Sequence, residues 1–100
     1  MDTSSLNSGL HKLSIKFKKD LIDRLESKGH NDTGKLEKSI KVNINGSGTI
    51  YTIEIIALDY IKYLDKGEFL QDFIDEKTKE VEEQVPKFIR EDIIKTFNND

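Results

Sequence analysis

Apolar residues recur at spacings of three and four along the first quarter of the chain. They are Leu6, Leu10, Leu13, Phe17, Leu21 and Leu25. This spacing places all of them on one face of an α-helix and leaves most of the charged residues on the opposite face. Gly29 follows the last turn, where glycine commonly ends a helix because it tolerates positive φ. The pattern predicts a long amphipathic N-terminal helix.

The next segment predicts a short helical turn and then a β-hairpin. Asp32 or Thr33 can cap a turn over residues 34–39, because both side chains can accept hydrogen bonds from free amides. Between residues 40 and 45 apolar and polar positions alternate, which is typical of a half-buried strand. The sequence Asn-Gly-Ser-Gly at residues 45–48 predicts the turn of the hairpin.

The predicted second strand, residues 49–58, is apolar on both faces. One face carries Tyr51, Ile53, Ile55 and Ala57, and the other carries Ile50, Ile56 and Leu58. A strand of this kind needs cover on both sides. In so short a chain a neighbouring subunit can supply that cover, so Ile50, Ile56 and Leu58 form a candidate subunit interface.

The remainder of the chain predicts helix. Residues 60–66 indicate one or two helical turns ended by Gly67. A stripe at helical spacing follows, made of Phe69, Phe73, Val81, Val85, Phe88 or Ile89, and Phe97. Pro86 lacks an amide hydrogen and restricts the residue before it, so we expect a kink or a break there. The whole chain of 100 residues is predicted to form one α+β domain.

Composition narrows the function classes. Hydrophobic and charged residues each make up 35 % of the chain, and it contains no cysteine. A disulfide framework or thiolate metal site is therefore not expected. The longest apolar stretch, Ile53 to Leu58, is interrupted by Glu54 and is far too short to span a membrane. With no visible secretory signal, we expect a soluble protein made in a cytoplasm.

The two halves of the chain differ in charge. Residues 1–50 carry nine basic and six acidic residues, whereas residues 51–100 carry seven and thirteen. Two interpretations stay open: an ordinary solvated surface, or a polar protomer whose two ends bind different partners. The basic residues form no stripe interleaved with aromatics, so a dedicated nucleic-acid reader is not indicated.

One segment resembles a phosphate-binding loop. Residues 29–35 fit the pattern G-x-x-x-x-G-K, but Leu36 stands where the magnesium-binding Ser or Thr should be. The preceding segment is a predicted helix, whereas the motif requires a strand. His11 and His30 lack acidic or histidine partners at ligand spacing. We therefore expect no nucleotide, metal or other cofactor, and no enzymatic activity.

Two blocks of residues together resemble the HK97 gp10-like family of tailed-phage proteins. The family pattern T-G-x-L-x-x-S-I is matched in full by the first block, which consists of Thr33, Gly34, Leu36, Ser39 and Ile40. The second pattern, Y-A-x-Y-V-E-x-G, is matched by Tyr60, Tyr63, Asp65 and Gly67, with Asp65 in place of Glu and Ile61 in place of Ala. We take these residues as structural-motif or interface residues.

The resemblance implies a non-enzymatic neck protein that completes the tail or joins it to the head. It implies a homo-oligomeric ring, six-fold or twelve-fold, through which DNA passes without specific binding. The implied partners are portal, tail and other neck proteins, and the implied location is the virion, after assembly in the host cytoplasm. The alternatives are a small adaptor or regulatory module that binds a partner through its C-terminal helix, and an enzyme built on the loop at residues 29–35.

Overall fold

The computed structural model describes residues 4–30, 33–47 and 50–98, with side chains described for 5–30, 34–46 and 51–90. The predicted α+β fold is confirmed. In chain order the elements are α1 (Ser4–Ser27), α2 (Thr33–Ser39), β1 (Lys41–Ser47), β2 (Ile50–Ile56), α3 (Asp59–Lys62), a short turn (Leu64–Gly67) and α4 (Glu68–Asn98).

Helix α1 forms the centre of the core. The predicted apolar stripe is buried from Leu10 to Leu25, and Leu6 packs against it half-buried. The helix ends as predicted at Gly29, which has a φ of 96°. The amides of Gly29 and His30 donate to the carbonyls of Glu26 and Leu25, the paired hydrogen bonds of a Schellman cap.

Helix α4 runs antiparallel to α1. Lys16 pairs with Glu80, and Arg24, which comes later in α1, pairs with Glu76, which comes earlier in α4. Near the other end, a Cβ atom added at Gly9 would lie 2.6 Å from the ring of Phe88, so the helices approach closely there. The resulting molecule is elongated, with extents of 53 × 24 × 18 Å.

The predicted break at Pro86 does not occur. Helix α4 is continuous from Glu68 to Asn98 with Pro86 inside it, so that alternative is wrong. Proline removes the hydrogen bond that its amide would donate to the carbonyl of residue 82. Pro86 is exposed, and at a solvent-facing position water can satisfy the freed carbonyl.

The hairpin lies with one face on the helices. Its strands pair antiparallel from Lys41↔Ile56 to Ser47↔Ile50, which places Val42, Ile44, Ile53 and Ile55 on the inner face. The predicted turn is misplaced: residues 45–47 belong to β1, and Gly48 lies outside the described residues. Gly46 serves the strand instead, because the ring of Tyr51 occupies the space above it, 2.6 Å from where a Cβ would be.

The turn after α3 has unusual backbone geometry. Asp65, Lys66 and Gly67 have φ values of 52°, 58° and 87°, all in the left-handed region. Gly67 was expected to end the preceding helical turns, and α4 does begin at the next residue. The left-handed geometry of Asp65 and Lys66 costs energy that only glycine would avoid.

Candidate functional site

The two motif blocks lie beside different parts of α1. Three of their apolar members are fully buried in the core: Leu36, Ile40 and Ile61. The first block lies beside the middle of α1, where Glu37 pairs with Lys18 at 3.2 Å. The second lies at the C-terminal end of α1, where the ring of His30 is 5.4 Å from that of Tyr60. The blocks therefore share a core and contact α1 at different heights.

The first block forms α2 and its exit into β1. The amide of Ile40 donates to the carbonyl of Leu36 at 3.0 Å, and the hydroxyl of Ser39 donates to the same carbonyl at 3.4 Å. Gly34 is exposed and faces open space. Thr33 is the first residue of α2, but its side chain and Asp32 lie outside the described part, so the capping prediction is not tested there.

The second block leaves its tyrosines in solvent. Tyr60 is 42 % exposed and Tyr63 76 %. The carboxylate of Asp65 accepts a hydrogen bond from Lys28 Nζ of the same chain at 2.8 Å. This ion pair ties the left-handed turn to the end of α1.

The candidate interface residues of β2 have different environments. Ile56 is 48 % exposed on the outer face of the hairpin, opposite Lys41. Leu58 is half-buried against the core, and the side chain of Ile50 lies outside the described residues. The subunit interface assigned to these three residues stays a prediction.

Between α1 and α4 lies a feature that the sequence analysis missed, a network of alternating charges. We call it the ion-pair network, and its members are Lys16, Asp20, Arg24, Glu76, Lys77 and Glu80. Its three cations and three carboxylates alternate along the seam between the helices. It fixes the register of α4 on α1 through polar contacts as well as apolar ones.

Lys77 is the buried centre of this network. Its side chain is only 5 % exposed, and its Nζ donates to Asp20 Oδ2 at 2.6 Å, with Glu80 at 3.4 Å and Glu76 at 3.8 Å. The ammonium also lies 5.2 Å from the ring centre of Phe17. A signal was available in the sequence, since Lys77 occupies the helical position between Phe73 and Val81 in the apolar stripe.

The carboxylates of the network titrate below their usual range. Burial alone would raise the pKa of Asp20, but hydrogen bonds from Lys77 and Arg24 outweigh it and lower the pKa. The hydrogen bond from Lys16 lowers the pKa of Glu80. A two-point contact with Arg24, at 2.8 Å for each oxygen, lowers the pKa of Glu76. The three carboxylates are therefore ionised at neutral pH.

The outer surfaces of the two long helices differ in charge. The exposed side of α4 between residues 68 and 83 is dominated by carboxylates, namely Glu68, Asp72, Asp75, Glu76, Glu82 and Glu83. The exposed surface of α1, α2 and the start of β1 is rich in lysines, namely Lys12, Lys16, Lys19, Lys35, Lys38 and Lys41. The charge asymmetry of the sequence thus becomes two surfaces of opposite sign.

The geometry of the described residues does not support a phosphate-binding loop or a metal site. The loop that resembles a phosphate-binding motif follows helix α1, as predicted, and not a strand. In the described ranges, no three His, Asp or Glu side chains lie close enough to hold a metal ion. Within the same part of the chain no helix is long and apolar enough to cross a membrane.

Comparisons of the chain with models of known protein families, with curated proteins and with solved structures give no match. The family resemblance therefore rests on the two motif blocks, and the function drawn from it is a proposal.

Proposed function

We propose that this chain is a non-enzymatic structural protein of a tailed bacteriophage. In this proposal it is one subunit of a closed ring in the neck, where it completes the tail or joins the tail to the head. The ring has six or twelve copies and surrounds the channel through which DNA passes. Its partners are further copies of itself and the portal, tail or other neck proteins of the virion, which assembles in the host cytoplasm.

The proposal is carried by the division of the motif residues between core and surface. The apolar members, Leu36, Ile40 and Ile61, serve the core, whereas Tyr60 and Tyr63 remain exposed. Exposed tyrosines combine a large apolar ring with a polar tip and are enriched at protein interfaces. Residues that match an assembly family thus supply both buried anchors and a surface suited to a partner.

The charged surfaces also support a ring. A cyclic assembly uses heterologous contacts, in which one face of a subunit binds a different face of the next. Such contacts need two complementary surfaces on one chain, and the acidic side of α4 and the lysine-rich side of α1 and α2 are complementary in charge. Carboxylates of α4 that border the lumen would keep passing DNA from binding.

Electron microscopy of the purified chain, alone and with portal and tail proteins from the same phage, tests the proposal. We expect closed rings whose class averages have six-fold or twelve-fold symmetry. A chain that stays monomeric in both preparations contradicts it. The tyrosines can be tested in the same assay: Tyr63→Ala should reduce ring yield without changing thermal stability, because the side chain is 76 % exposed.

The alternative is an adaptor that binds a regulatory partner through α4. The observation that favours it is the row of exposed carboxylates along this 31-residue helix, which suits a basic partner. A pull-down with the tagged chain separates the two functions. Recovery of virion proteins supports the ring, and recovery of host regulators without any virion protein supports the adaptor.

A further inference from the structure

Among the residues that the structure describes, no further strand pairs with the outer edge of β1 or of β2. Among the described residues the sheet has two strands, so β1 and β2 pair with each other and with no further strand. Two-stranded sheets are marginally stable, and free edges readily bind additional strands. Strand β2 contains neither proline nor lysine, the residues that most often protect an edge.

A groove runs beside the β1 edge. The groove next to β1 is lined on the α1 side by Ile15 and Lys18, and on the strand side by Lys41, Val42 and Asn43. Because consecutive strand residues point to opposite faces, a groove that touches all three must follow the edge. Ile15 is 58 % exposed, so this groove has an apolar side that no described residue covers fully.

A second groove lies between β2 and α4. It is lined by Tyr51, Ile53, Thr78, Val81 and Glu82. Tyr51 and Ile53 share the inner face of the hairpin, so this groove lies beneath β2 and does not follow its edge. The concave surface that can receive the side chains of an added strand is therefore the one beside β1.

The two edges carry opposite charge. Lys41 is exposed on β1, whereas Glu54 is exposed on β2. The strands are antiparallel within the hairpin. Strand β2 of a second copy placed against β1 therefore continues the antiparallel order, with Glu54 facing Lys41 across the new contact.

We propose that the β1 edge of one copy binds the β2 edge of the next copy. The product is a continuous antiparallel sheet, with two strands from each subunit, that runs around the ring. This inference rests on the proposed function and names the contact that closes the ring. The contact is heterologous, because two different edges meet, so it can repeat until the ring is complete.

Charge reversal tests this contact. Lys41→Glu places two carboxylates across it, and Glu54→Lys places two cations across it, so each variant alone should associate about fivefold or more weakly per contact. An equimolar mixture of the two variants should recover ring assembly. In an alternating ring of even number, every contact in the mixture again joins opposite charges. Sedimentation velocity over a concentration series measures all three samples.

The mixture also separates this contact from effects inside one hairpin. Lys41 and Glu54 lie diagonally on the outer face of the same hairpin, so each single reversal changes that pair too. Mixing the two variants cannot restore a pair of opposite charges within one hairpin. It restores opposite charges only where two copies meet. Lys79→Glu and Asp23→Lys are matched controls, because both residues are exposed, lie away from the hairpin and remove no charge from the acidic or the lysine-rich surface. Neither variant should weaken assembly.

Backbone pairing has its own readout in hydrogen exchange. Peptides covering β1 and β2 should exchange at least about tenfold more slowly in the assembled state than in dilute monomer. If both reversal variants form rings as readily as the wild type, the proposed contact is wrong and the proposed ring still stands. The same conclusion follows if rings form without slower hydrogen exchange in β1 and β2. A wild-type chain that stays monomeric overturns the contact and the proposed function together.

Discussion

Removing the negative charge of Asp20 should destabilise the fold markedly. Its carboxylate is the closest partner of the buried Lys77 ammonium, at 2.6 Å. In Asp20→Asn that ammonium keeps only Glu80 at 3.4 Å and Glu76 at 3.8 Å. Breaking a fully buried ion pair costs about 3–5 kcal/mol, and a single charged hydrogen bond contributes about 1.5–3 kcal/mol.

The expected loss lies near the lower of these ranges. The Asp20 side chain is 33 % exposed, and the two remaining carboxylates compensate in part. We therefore expect the free energy of unfolding to fall by about 2 kcal/mol, which is about a thirtyfold change in the folding equilibrium. For a domain of this size the melting temperature should fall by about 8–16 °C.

Removing the cation instead should cost much less. In Lys77→Met the stem still packs on Phe17, while Asp20 keeps Arg24 at 3.1 Å and Glu80 keeps Lys16 at 2.6 Å. No buried charge is left without a partner, and replacement of a buried ionic group by an apolar one is often neutral. We expect Lys77→Met to stay within about 1 kcal/mol of wild type.

Urea denaturation followed by far-ultraviolet circular dichroism, at one fixed protein concentration, measures both variants. Asp23→Asn is the matched control, since Asp23 is exposed on the same helix and should change stability by less than about 0.5 kcal/mol. The reasoning is refuted if Asp20→Asn is no worse than Asp23→Asn. It is refuted equally if Lys77→Met loses as much as Asp20→Asn.

Three further outcomes are expected. Gly67→Ala should lower the free energy of unfolding by about 1–2 kcal/mol, because φ is 87° there. Gly34→Ala, in open space within α2, should be neutral or stabilising. Equal losses in thermal melts of the two variants would contradict this. Because the folded pKa values of the network carboxylates lie below their ordinary 3.8 and 4.5, their contribution should be complete above about pH 5 and disappear as the pH falls through the folded values. Urea titrations across acidic pH would contradict this if stability did not fall. Ile61→Ala should cost about 2–5 kcal/mol in the same titrations and exposed Ile15→Ala less than about 0.5 kcal/mol, and similar values for the two would show that burial is misassigned.

Periodicity predicted the main elements because apolar burial produces it directly. The stripe of α1 and the alternation in β1 follow from one face of each element packing on the core. Gly29 and Gly67 both marked real ends, since each has the positive φ that favours glycine. The order of elements could therefore be derived from local sequence.

The errors lie where tertiary contacts overrule local signals. The Asn-Gly pair at residues 45 and 46 is a typical turn sequence, but the ring of Tyr51 across the ladder uses Gly46 as a strand position. Proline usually breaks a helix, but α4 continues through Pro86 because this residue is exposed and α1 packs against the other side of the helix.

The candidate site was less predictable than the fold. Lys77 interrupts the apolar stripe of α4, but the sequence does not reveal the partner that allows its burial, because Asp20 is 57 positions away. The left-handed backbone of Asp65 and Lys66 has no local sequence signature either. The motif blocks could be quoted from the sequence, but which of their residues are buried and which are exposed required the folded chain.

The symmetry of the assembled particle is the most direct test of the proposal that this chain forms a closed ring. Class averages from electron microscopy of the 11.5 kDa chain, purified alone and together with portal and tail proteins, report that symmetry. We expect closed rings of six or twelve copies. A chain that remains monomeric in both preparations would contradict it.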